Sequence, residues 1–158
     1  MPRSVTCLLL REQLQLALGG GPMLQPAISA IRALEAGRHP DVYYLHPTLQ
    51  QLFAPSMQGF LISMFSYDPA RLIADFHKPV LILQGERDLQ VSVADAKRLK
   101  QAAPAAKLVL LPDANHFFKL VKSADKAADA AAYSKLVPLA PHIADEIADF
   151  VSAANRTQ

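Results

Sequence analysis

The sequence has a single cysteine, Cys7. That excludes an internal disulfide and a cysteine-based zinc site, and Cys7 reads as a small apolar residue rather than a reactive thiol. The five histidines contain no pair at metal-ligand spacing on a convincing helix, so neither a metal site nor a cofactor site is expected. Long hydrophobic runs are missing as well. Val5, Cys7, Leu8, Leu9 and Leu10 lie between Arg3 and Arg11. A signal peptide needs a longer apolar core, and a membrane helix needs roughly 18 apolar residues. The expectation is a soluble, cytoplasmic chain. Charge of one sign is not in excess either. The 16 basic residues against 14 acidic ones give no case for a nucleic-acid partner or an acidic membrane surface.

What is present suits a globular domain. A chain of 158 residues, 51% hydrophobic and 19% charged, is long enough to bury a core and too apolar to be disordered. Its organising stretch runs from Lys78 to His116. Val80, Leu81, Ile82 and Leu83 form a continuous apolar run, as a strand buried on both faces should. Gln84 to Asp88 is a polar turn. Ser92 and Asp95 have the spacing of a capping box, which predicts a helix to about Ala103. Leu108 to Leu111 reads as a second buried strand, followed by the polar loop Pro112 to His116. Parallel strands joined by a crossover present their C-terminal ends together. Asp88 and His116 are therefore expected at one edge, where ligands and catalytic groups gather in such sheets. A carboxylate beside an imidazole fixes its tautomer and stabilises imidazolium, as a nucleophile's general base requires. Spacing alone equally allows an aspartate in a turn and a solvated loop histidine.

Residues 78–118 resemble the last strands of an α/β-hydrolase. In that family a strand ending in G-x-x-D carries the acid of the catalytic triad, and a later N-H or G-H carries the histidine. Pro79 to Asp88 matches the first motif and Asn115-His116 the second. The resemblance extends over roughly residues 1–153. It implies an α/β fold in two parts: a helical cap-like segment over residues 1–77 and a C-terminal core segment over residues 78–158. It implies Asp88 and His116 as catalytic residues and hydrolysis of an ester or similar acyl bond of a small molecule. In that chemistry a serine attacks, His116 takes and returns its proton, Asp88 orients His116, and an oxyanion hole holds the tetrahedral intermediate.

One part of the family pattern has no counterpart. The nucleophile sits in G-x-S-x-G on a strand-to-helix turn, and none of the six glycines has a serine two residues before or after it in that pattern. The chain resembles the cap and last two strands only, so it is expected to be inactive alone. Two alternatives belong to other classes: a non-catalytic binding or assembly module, and one half of a split hydrolase. Gly19-Gly20-Gly21-Pro22 reads as a flexible break, because an oxyanion loop would have to precede the nucleophile.

The remaining segments read as short helices. Pro26 is expected at a helix start and Gly37 just past its end, with Ile28, Ile31 and Leu34 inward. Pro47 opens another with Leu49, Leu52 and Phe53. Pro55 opens a third, in which Met57, Phe60, Leu61, Met64 and Phe65 make a stripe. That stripe reads as core or as the wall of an acyl pocket. Asp68-Pro69 caps a fourth, with Leu72, Ile73 and Phe76 inward. After His116, an alanine- and charge-rich excursion to Tyr133 precedes a last helix introduced by Pro138 and Pro141. Ile143, Ile147, Phe150 and Val151 of that helix are expected against the sheet. Without flanking strands the two apolar strands would stay partly uncovered, at about 1.5–3 kcal/mol for each side chain left exposed. A homodimer, or the missing N-terminal half, is the expected partner.

Overall fold

The computed structural model describes residues 5–121 and 136–156. It is a mixed α/β structure with seven helices and a two-stranded parallel sheet among those residues. The chain divides into two compact units, residues 1–72 and 73–158. The sequence-based boundary at 77/78 lies a little further along.

The first unit is helical. Helix α1 (Val5–Leu18) goes beyond the sequence-based expectation, although Leu10, Leu14 and Leu18 recur at helical spacing and meet the core of this unit. It ends at a glycine turn in which the Gly19 N–H donates to the Gln15 carbonyl. Helix α2 (Leu24–Glu35) begins two residues before Pro26 and buries Leu24, Ala27, Ala30, Ile31 and Leu34. Ile28 is only partly buried. The helix ends at Gly37, whose φ is +70°. The Arg38 N–H donates to Ala33 and the Gly37 N–H to Leu34, a Schellman closure that favours glycine at this position. Helices α3 (Pro47–Leu52) and α4 (Pro55–Ser66) start on prolines. Leu14, Phe53, Leu61 and Phe65 join α2 in one core.

The stripe on α4 requires correction. Leu61 and Phe65 are buried, but Phe60 is 60% exposed and Met57 40%. The position turned inward beside them is Gln58. Its amide donates to the carbonyls of Pro40 and Phe53 and pairs with His39 Nδ1. A buried amide is tolerated because its polar atoms are satisfied. Helix α5 (Pro69–Ala74) is capped by Asp68, whose Oδ1 accepts from the Ala70 N–H. Leu72 and Phe76, expected inward, are more than half exposed.

The second unit is a strand–helix–strand. Strands β1 (Leu81–Gly85) and β2 (Lys107–Leu111) pair in parallel, Leu81 opposite Lys107 and Gly85 opposite Leu111. Helix α6 (Val93–Ala102) connects them, and its Ser92–Asp95 capping box is formed. Alternation puts Ile82 and Leu108 on one face with Ala96 and Leu99 of α6. Leu83, Val109 and Leu111 lie on the other, with Ala140 and Ile143.

Neither strand is buried on both faces as expected. Leu81, Leu83 and residues 108–110 are only partly covered. Helix α7 (Ile143–Asn155) explains part of this. Ile143 packs against the sheet cluster, whereas Ile147 and Val151 are nearly half exposed. The helix meets the sheet at its start only, where Glu146 also pairs with Lys107 at 2.6 Å. Most of the excursion after His116 lies outside the described residues.

Candidate functional site

The two polar loops at the C-terminal ends of β1 and β2 are joined by backbone hydrogen bonds. The Glu86 N–H donates to the Leu111 carbonyl at 2.9 Å, and the Arg87 N–H donates to Ala114 at 3.0 Å. Gly85 makes this approach possible. A Cβ placed on it would lie 2.2 Å from the Ala114 carbonyl oxygen and 2.9 Å from that of Asn115. Only a residue without a side chain fits there.

The first loop carries Asp88. Its Oδ1 accepts from the N–H groups of Gln90 and Val91 at 2.7 and 2.9 Å, an Asx turn that fixes one carboxylate oxygen. The second loop is built around Asn115, which is fully buried. Asn115 Oδ1 accepts from the Phe117 and Lys119 N–H groups, both at 3.0 Å. Its backbone N–H donates to Lys119, and its carbonyl accepts from Phe118. Phe118 takes φ of 55° to close the turn. These bonds hold His116 on the side facing the first loop.

The structure brings Asp88 and His116 together. His116 Nδ1 lies 2.8 Å from Asp88 Oδ2. The carboxylate is 6% exposed and the imidazole 36%, so the acid is enclosed and the base is accessible. Asp88 Oδ2 also accepts from Gln84 Nε2 at 3.3 Å. Phe117 meets the imidazole edge-on, with ring centroids 5.7 Å apart. With a proton on Nδ1 held by the carboxylate, the basic lone pair of the neutral ring lies on Nε2. Such a pair can accept a proton from a hydroxyl and return it to a leaving group.

Gly85 and Asn115 belong to the two sequence motifs that carry Asp88 and His116, but those motifs do not show the packing roles of these two residues, and Gln84 has no assigned role in them. A glutamine directly after the apolar run Val80–Leu83, still within the strand, is the signal that marks Gln84, since a buried amide demands partners. No cluster of three or more metal-ligating side chains occurs among the described residues, and no helix there is long and apolar enough to cross a membrane. The chain matches no family model, no curated protein and no solved structure.

Proposed function

We propose that Asp88 and His116 are the acid and the general base of a serine-hydrolase-type machinery acting on ester or similar acyl bonds. The observation that carries this is the 2.8 Å contact between His116 Nδ1 and Asp88 Oδ2 at the ends of two parallel strands. In this reading His116 removes the nucleophile's proton and delivers it to the leaving group, while Asp88 holds the tautomer and stabilises the imidazolium. The two strands correspond to the C-terminal part of an α/β-hydrolase sheet, and the first unit to its cap. This chain has no G-x-S-x-G, so the nucleophile and oxyanion donors come from a polypeptide segment outside it. Without them the rate acceleration, which spans many orders of magnitude in hydrolases, is lost.

Two measurements test the reading. The chain alone is expected to hydrolyse a short-chain aryl ester no faster than its His116→Ala variant, and a fluorophosphonate is expected to label no residue. Serine-dependent turnover would contradict this, with Ser56, Ser63 and Ser66 the first positions to map. The coding sequence upstream of Met1 is the second test. An in-frame G-x-S-x-G there predicts a longer protein whose esterase activity is abolished by His116→Ala. The partly covered strands also favour self-association through β1, since an uncovered strand edge pairs readily and a twofold contact needs one self-complementary patch. Sedimentation at micromolar concentration is expected to show a dimer, and a monomer there ends that part of the proposal.

A further inference from the structure

Gln84 stands on the same side of β1 as Ile82 and is buried. Its amide nitrogen lies 2.8 Å from the Gly85 carbonyl, 3.1 Å from the Val91 carbonyl and 3.3 Å from Asp88 Oδ2, so its two N–H groups serve three acceptors with one of them shared. All three partners are acceptors, so the atom facing them must be the NH2. Gly85 and Val91 lie at the two ends of the loop that carries Asp88. One side chain thus ties the loop's ends together and also reaches the carboxylate in its middle.

That third contact distinguishes the two carboxylate oxygens. Oδ1 is already fixed by two N–H groups of the loop itself. Oδ2, the oxygen that meets His116, receives its other donor from Gln84, a residue of the strand. An apolar residue would serve the strand as well, since Val80 to Leu83 are all apolar. Only a side chain with N–H donors serves the loop. We propose that Gln84 is the positioning residue of the pair, acting through Asp88 to hold Oδ2 against His116 Nδ1 and so keep the imidazole in the tautomer whose Nε2 is basic. This deepens the reading of Asp88 and His116 as acid and base, and rests on it.

The test is nitrogen-15 NMR of the imidazole in the full chain, which needs no turnover. The native protein is expected to show His116 as the Nδ1–H tautomer with a slowly exchanging, low-field Nδ1–H proton. Gln84→Met, of similar length but without a donor, is expected to lose that proton signal and average the two tautomers. Gln58→Met is the control. It removes an equally buried and bonded amide from the first unit, and the His116 signal is expected to persist. If Gln84→Met does not fold, Gln84→Asn is used, whose shorter arm cannot span Val91 and Asp88 together, and the same loss is expected. In the native chain the Gln84 side-chain amide protons are expected to exchange slowly. An unchanged His116 tautomer in a folded Gln84 variant, or fast exchange of the native Gln84 amide, overturns the positioning role and leaves the acid–base pair intact. Absence of the Nδ1–H signal in the native protein overturns the pair itself.

Discussion

Gly85 and Ala114 approach so closely that a single added methyl group would come within 2.2 Å of the Ala114 carbonyl oxygen. The contact seats the loop after β1 against the loop after β2, and it is what brings Asp88 within reach of His116. The atoms in the way belong to backbone, which cannot swing aside like a long side chain. Gly85→Ala is therefore expected to cost at or above the roughly 1–3 kcal/mol typical of overpacking. It should also disrupt the Asp88–His116 hydrogen bond. Urea unfolding reads the first effect and imidazole NMR the second. A variant as stable as the native chain would show that the loops are not held together at Gly85.

Asn115 supports the other side. Its Oδ1 accepts two backbone N–H groups, while its Nδ2 has no partner among the described residues. The oxygen is thus the atom that matters. At about 1 kcal/mol for each hydrogen bond, Asn115→Ala is expected to lose about 2 kcal/mol, measured by chemical denaturation. A loss of a few tenths would mean that the turn closes without it.

Much of this region is legible in the sequence, and the reason is topological. Leu81 to Leu83, the capping box of Ser92 and Asp95, and Leu108 to Leu111 each carry a local signal, and two parallel strands must end at the same edge. The contact between Asp88 and His116 follows from that arrangement. Gln84, Gly85 and Asn115 act between loops, and no local pattern records which backbone will approach which. The inward side of α4 differs from the expected stripe for a related reason. Periodicity finds a helix, but the neighbours decide which flank is covered, and here the loop carbonyls of Pro40 and Phe53 draw Gln58 inward while Phe60 faces out. The half-exposed face of α7 is the same case, because apolar spacing does not show how far along a helix its packing partner extends.

The first unit offers an independent test. Arg11 and Glu35 form an ion pair between α1 and α2, both side chains largely buried. Arg11 Nε and Glu35 Oε1 have no further partner among the described residues. A buried pair of this kind is costly to break and cheap to replace. Arg11→Met alone is expected to lose about 3–5 kcal/mol, because it strands the carboxylate. Arg11→Met combined with Glu35→Leu is expected to recover most of that. Thermal or urea denaturation of the two variants checks it, and a double variant no better than the single one would contradict it.

In the proposed pair, Asp88 holds His116 with its proton on Nδ1, ready to act as a base through Nε2. The most direct measurement is the nitrogen-15 spectrum of the neutral His116 imidazole in the native chain and in Asp88→Asn. The Nδ1–H tautomer is expected in the native protein. In Asp88→Asn the side-chain amide can donate to Nδ1, and the ring is predicted to switch to the Nε2–H tautomer, with no change in the fold. A native His116 already in the Nε2–H tautomer, or a tautomer indifferent to Asp88→Asn, would show that Asp88 does not hold the imidazole in this way.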